Sequence, residues 1–226
     1  MENVTRYAVY YAPAAGAFAQ RANGWLGFDP ATGRALPAPA LALRADQIAA
    51  RAMRYGFHGT IKPPFRLAPG CDAAALKSAL AGLAAELPPL SLPGLELRNL
   101  DGFLALTPVG DVAALQQLAA RVVRDLDRFR APLTRAEIAR RNPDLLTPRQ
   151  RELLDLWGYP YVMEQFRFHL TLTDQLPPPM AEQAAAILTG YLGPVLPRPF
   201  EITDLCLFGQ QAEGRFHLLH RYALAG

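Results

Sequence analysis

Phe57-His58-Gly59-Thr60-Ile61 and Phe168-His169-Leu170-Thr171-Leu172 are the two stretches on which the fold turns. In an extended chain alternate residues share a face. His58, Thr60 and Lys62 then point one way, and Phe57, Gly59 and Ile61 the other. The second stretch behaves alike: Arg167, His169, Thr171 and Thr173 oppose Phe168, Leu170 and Leu172. Each strand has an apolar side for packing and a polar side bearing an imidazole, a hydroxyl and a nearby cation. Only 12 of the 226 residues are Ser or Thr. Two of four histidines both carrying a hydroxyl two residues on is therefore an accident on the order of 1 to 2%.

The likeness extends outward from these strands. Residues 57–107 read as strand, proline-rich turn, helix, proline break, strand, turn, strand, and residues 168–224 repeat that order. The first helix of this scheme starts at Asp72, a good N-cap, with Ala75, Leu76, Leu80 and Leu83 on one face. A spacing of about a hundred residues is too long for a solenoid. The expected architecture is α+β: one bilobal domain over residues 1–226, pseudo-two-fold symmetric, with the two His-x-Thr pairs converging on one cleft.

Around the repeats, Arg6–Ala12 reads as a strand closed by Pro13, and Arg44–Tyr55 as a helix. Asp111 caps a long helix to about Phe129, Thr134 with Glu137 makes a capping box, and Thr147-Pro148 opens a helix that Gly158 ends. Residues 14–40 show no sustained period and read as a loop in which Trp25 either rides on a lid or anchors the chain. Ala17-Phe18-Ala19 resembles a signal-peptidase site, but no continuous apolar run precedes it.

Composition sets limits. Apolar residues make up 51% and charged residues 19%, enough for a substantial core. The 21 prolines enforce many turns. A net charge of +3 suits a small anionic ligand and disfavours a long nucleic-acid track. Cys71 and Cys206 are too few for a disulfide framework or a four-cysteine zinc site, as expected of a cytoplasmic protein. No apolar run approaches the length of a membrane span.

The duplicated His-x-Thr pattern resembles the 2H phosphoesterase superfamily, the LigT-like cyclic phosphodiesterases and RNA-ligase-like enzymes. That resemblance implies antiparallel sheets lining a central cleft with helices outside, one motif per lobe. Arg6–Tyr10, Arg54–Phe65 and Trp157–Met163 are similar, more narrowly, to a subgroup encoded beside phosphonate-degradation genes. The resemblance implies hydrolysis of a small cyclic phosphate or phosphodiester, ribose- or nucleotide-like, in phosphonate catabolism. The alternatives are an RNA 2′,3′-cyclic phosphodiesterase or 2′,5′-ligase-like activity and, from another class, a phosphate-binding module without turnover.

The chemistry suits the residues. Opening a cyclic phosphodiester needs a base for water and an acid for the leaving oxygen, and His58 and His169 supply both near neutral pH. Thr60 and Thr171 can donate to the non-bridging oxygens. No metal or other cofactor is called for, since His/Thr alternation is not a metal-ligand set. Lys62 is either a phosphate ligand or a solvated surface lysine. Arg6 and Arg167 either add potential to the cleft or form surface ion pairs. Tyr7, Tyr159 and Tyr161 complete the candidate substrate contacts, the last two with aromatic packing as the competing role. His217 and His220 read as structural, and the five arginines from Arg135 to Arg151 as a solvated helical surface.

Overall fold

The computed structural model describes residues 4–212 and 214–226. The chain opens with β1 (Val4–Tyr11), α1 (Ala17–Trp25), the short β2 (Phe28–Asp29) and β3 (Arg34–Ala35), then α2 (Ala45–Ile48) and α3 (Ala50–Tyr55). The first motif leads into β4 (Gly59–Phe65), α4 (Ala73–Glu86), β5 (Leu90–Leu92), β6 (Leu95–Leu100) and β7 (Phe103–Pro108). A helical connector follows, comprising α5 (Ala113–Asp125), α6 (Arg135–Ala139) and α7 (Pro148–Trp157). The second motif leads into β8 (Leu170–Thr171), α8 (Pro178–Leu192), β9 (Phe200–Ile202), β10 (Asp204–Gln211) and β11 (Phe216–Ala223). The element order after β4 thus recurs after β8.

Seven strands form one antiparallel sheet in the order β11-β10-β1-β4-β8-β7-β6. The two motif strands are neighbours at its centre, joined through the pair Gly59–Leu170. Each of these residues is the other's counterpart in the repeat, so a pseudo-two-fold axis passes through the seam. The hairpins are exchanged across it: β6–β7 pairs with β8 and β10–β11 with β1, while β5 pairs with β9 on a separate two-stranded sheet. The expected pair of sheets is therefore continuous at one narrow junction.

Alternation along the strands sorts the side chains. Tyr7, Val9 and Tyr11 of β1 and Leu205 and Leu207 of β10 join Leu76, Leu80 and Leu83 of α4, Leu118 and Val122 of α5, and Leu188 and Leu192 of α8 in the main core. Ala8, Tyr10, Ala12, Cys206, Phe208 and Phe216 form a second cluster on the opposite face. Burying this much aliphatic and aromatic surface, at about 25 cal/mol per Å², is the main drive to fold. Three helix caps follow the sequence: Asp72 accepts from Ala75 N at 2.8 Å, and Thr134 and Thr147 each complete a capping box, whereas Val112 and not Asp111 stands at the N-cap of α5.

Several expectations are corrected. The motif strands are shorter than the sequence suggests: β4 starts at Gly59 and β8 is only Leu170–Thr171, so both histidines lie just before the ladder. The helix expected over 44–55 breaks at Ala49 into α2 and α3. Residues 17–25 are helical, and Trp25 is 1% exposed, its indole N–H donating to Leu172 O at 2.7 Å. It locks α1 to the end of the second motif and rides on no lid.

The seam depends on a missing methyl. A Cβ on Gly59 would fall inside the van der Waals envelope of the Phe168 ring. Gly59→Ala must push β4 and β8 apart or displace Phe168, an overpacking cost of about 1–3 kcal/mol. We expect a lower denaturation midpoint. A melt equal to wild type would show that the close approach is dispensable.

Candidate functional site

Antiparallel pairing at Gly59–Leu170 fixes what lies beside it. His58 falls opposite Thr171, and Thr60 opposite His169, so each imidazole faces the hydroxyl of the other motif. The linings agree: His58 and Thr171 share a cavity of about 270 Å³, and Thr60 and His169 share one of about 400 Å³. Directly opposed side chains start about 5 Å apart and diagonal ones about 7–8 Å, so the histidines stand on a diagonal wide enough for a phosphoryl group. Phe103 lines both cavities and packs edge-on to His169.

Both rings are anchored in the same way. His58 Nδ1 lies 2.9 Å from Gly56 O, and His169 Nδ1 lies 2.8 Å from Arg167 O. A carbonyl can only accept, so Nδ1 carries the proton in each ring and Nε2 is left with its lone pair. Gly56 turns the chain with φ 72°, a left-handed conformation suited to glycine, and so presents its carbonyl to the ring. Among the described residues neither Nε2 nor the Thr60 and Thr171 hydroxyls have a hydrogen-bond partner.

The two environments differ. Tyr10, 1% exposed, stacks on His58 with centroids 3.9 Å apart and planes at 25°. Burial pushes the His58 pKa down to about 4, the Gly56 carbonyl opposing and the nearby His169 reinforcing. Burial also lowers the His169 pKa, the Arg167 carbonyl opposing and the Arg167 charge reinforcing. Both imidazoles are accordingly neutral at pH 7 in the free protein.

Other sequence candidates divide by sheet face. Arg6 shares the face of Tyr10 and lies over Phe216, its Nε donating to Gln210. Tyr7, the next residue, points into the core and is 7% exposed, which removes it from the substrate contacts. Lys62 is corrected as well. A bulge leaves Tyr10 opposite Thr60 but Val9 opposite Lys62, breaking the alternation. The lysine is 1% exposed, donates to Val123 O at 3.1 Å and pairs with Asp127 at 3.5 Å. It clamps the sheet to the end of α5, and burial lowers its pKa to about 8, Asp127 opposing.

Tyr159, Tyr161 and Arg167 all line the larger cavity with Thr60 and His169. Arg167 is 70% exposed, with a loose 3.9 Å pairing to Asp101. Arg141 stacks over Tyr159 at 4.7 Å, so the arginine-rich connector is not wholly a solvated surface. His217 packs on Phe28 and His220 on Tyr222, outside both cavities. The residues that sequence reasoning missed are Tyr10, Tyr55, Phe103, Arg141 and, in the smaller cavity, Arg51, Asp174 and Gln175. For Tyr10 a signal existed, since it shares the parity of Arg6 on β1. Among the described residues no group of three or more His, Cys, Asp or Glu is arranged to hold a metal ion.

Two measurements check this geometry. The unfolded chain takes up a proton below about pH 6.5 that folded His58 accepts only near pH 4, so its neutral burial stabilises the fold above that window and is lost as pH falls through it. The melting temperature of wild type should fall by about 4–7 °C more than that of His58→Gln between pH 7 and 5. Parallel curves would contradict a buried neutral imidazole. Lys62→Met should cost about 1–3 kcal/mol of stability and leave phosphate affinity within twofold, checked by denaturation and calorimetry. A large loss of affinity would restore Lys62 to the site.

Comparison with known proteins places the chain. It is 40% identical over 184 residues to a protein of Janthinobacterium sp. (strain Marseille) named ribose 1,5-bisphosphate phosphokinase PhnN, covering 77% of this chain and 40% of that protein. A protein of the same name from Laribacter hongkongensis (strain HLHK9) is 41% identical over 194 residues, covering 83% and 45%. The chain spans less than half the length of these curated relatives. Among solved structures, E. coli LigT complexed with 3′-AMP is similar over 98% of this chain and 99% of that one, at 16% identity and a TM-score of 0.44. TT0787 of Thermus thermophilus is similar over 98% of each chain, at 14% identity and a TM-score of 0.48. Residues 60–217, which hold Thr60, His169 and Thr171 but not His58, match a family described as a protein of unknown function, DUF1045, and the chain belongs to that family.

Proposed function

We propose that this protein is a phosphoesterase that opens a small cyclic phosphate by two-histidine acid–base catalysis. The observation that carries the reading is the crossed quartet: two imidazoles with Nδ1 tied to backbone and Nε2 open, each opposite the threonine of the other motif. A phosphoryl group seated between the strands would meet one Nε2 on each flank and a hydroxyl from each strand. One imidazole takes a proton from water while the other gives one to the leaving oxygen, and the threonines donate to the non-bridging oxygens. The chemistry needs no metal ion. The two-imidazole likeness to 2H phosphoesterases supports the same reading.

Because both imidazoles are neutral in the free protein, the acid must acquire its proton as the anionic substrate arrives. A phosphate charge beside an imidazole raises its pKa, so binding itself recruits the proton. The name of the curated relatives contains a phosphorylated ribose, which supports a ribose cyclic phosphate as the substrate class and a place in phosphonate metabolism.

The test is a panel of ribose and nucleoside cyclic phosphates offered to purified protein with a chelator present. Turnover is expected, and His58→Gln and His169→Gln should each lower it by about 10²–10⁴-fold while the protein stays folded. Preference for nucleoside 2′,3′-cyclic phosphates within the panel would favour the RNA-end reading. Binding without turnover would reduce the protein to a phosphate-ligand module.

The pH profile gives a separate check. kcat/KM reports the free protein, whose imidazoles titrate below their ordinary range, so its optimum should lie below pH 6.5 and its value decline toward pH 8. The two limbs belong to the coupled pair. A profile flat from about pH 4 to 8 would exclude imidazole acid–base catalysis.

A further inference from the structure

Beside the quartet, on the same face of β1, lies a group of polar tips that the acid–base chemistry does not use. Tyr10 is 1% exposed, its ring clasped by His58 at 3.9 Å, Phe208 at 5.0 Å and Phe216 at 5.9 Å. Its hydroxyl nevertheless has no hydrogen-bond partner among the described residues. Arg6 lies over the opposite part of the same aromatic cluster, 5.6 Å from the Phe216 centroid, and Tyr55 stacks on Phe216 at 5.6 Å. From the connector, Arg141 is held over Tyr159, which lines the cavity of Thr60 and His169. Neither Arg6 nor Arg141 pairs with a carboxylate among the described residues.

The electrostatics tie these groups together. Burial holds the Tyr10 hydroxyl well above its ordinary range, with the Tyr55 and Tyr159 phenols acting in the same direction and the Arg6 and Arg141 guanidiniums opposing. Two cations without carboxylate partners and two further phenols thus neighbour the unpartnered Tyr10 hydroxyl. Arginines stacked on aromatic faces lose little freedom on binding and offer planar donors suited to phosphate oxygens.

We propose that Arg6, Arg141 and the hydroxyls of Tyr10, Tyr55 and Tyr159 form a second anion subsite, which takes a phosphate monoester carried by the substrate away from its reacting phosphodiester. This rests on the phosphoesterase reading and narrows it: the substrate is a sugar bearing both a cyclic phosphate and a separate terminal phosphate. Tyr10 then links the two subsites, its ring seating His58 and its hydroxyl reaching the distal phosphate. The connector between the two motifs supplies the selectivity through Arg141 and Tyr159.

The experiment compares kcat/KM for a ribose cyclic phosphate with and without a 5-phosphate, in wild type, Arg6→Gln, Arg141→Gln and Tyr10→Phe. Wild type should prefer the 5-phosphorylated compound by at least about tenfold, and each arginine variant should lose most of that preference. Tyr10→Phe keeps the ring on His58 and should reduce the preference by a smaller factor. Equal rates on the two compounds in wild type, or a preference that survives in both arginine variants, overturns the subsite. If neither compound is turned over, the phosphoesterase reading fails, and calorimetry with ribose 5-phosphate decides the subsite by itself. Affinity at least about tenfold weaker in Arg6→Gln and Arg141→Gln than in wild type upholds it, and equal affinity overturns it. Near-ultraviolet circular dichroism checks that each variant is folded.

Discussion

The close approach of β4 and β8 at Gly59 is the constraint from which the rest follows. Phe168 occupies the space where any other residue would place a Cβ, so glycine at position 59 lets the two motif strands pair this closely. The pairing of Gly59 with Leu170 then sets His58 against Thr171 and Thr60 against His169 without further adjustment. A slip of one residue at this seam would turn every one of these side chains to the opposite face. The register is held from both sides, by the apolar residues Phe168, Leu170 and Ile61 in the main core and by Trp25 bonded to Leu172 O.

Symmetry of backbone does not carry over to environment. Each imidazole has the same tether to a carbonyl two residues back, but Tyr10 covers the face of His58 while Phe103 meets His169 edge-on. The flanking cavities differ also, one lined with Arg51, Asp174 and Gln175, the other with Tyr159, Tyr161 and Arg167. The repeat supplies matched imidazole and hydroxyl pairs, and the connector between the halves, with Tyr159 and Tyr161 after it, makes the surroundings unequal.

The element order and the quartet were legible in the sequence because both rest on local periodicity. His-x-Thr with apolar neighbours reads as a strand with two faces whatever its partners. Lys62 defeated the same rule, since a bulge at Ile61 arises from how β4 pairs with β1 and leaves no mark in β4 alone. Arg6 and Tyr7 are adjacent in a strand and therefore lie on opposite faces, Tyr7 in the main core and Arg6 over Phe216. Tyr10, with the parity of Arg6, was the better partner. Residues 17–25 were obscured by Gly, Ala and Pro around them, and their helix is secured by distant contacts to Leu172 and Tyr191. Arg141 could be placed only once the connector had folded back over Tyr159.

The central claim is that both motifs grip one phosphoryl group, and a crystal soaked with vanadate tests it most directly. The account predicts the oxyanion between β4 and β8, with Thr60 and Thr171 hydroxyls on its equatorial oxygens and His58 and His169 Nε2 within about 3 Å of oxygens on opposite sides. Vanadate bound by one motif alone, or at a site touching neither histidine, would contradict it.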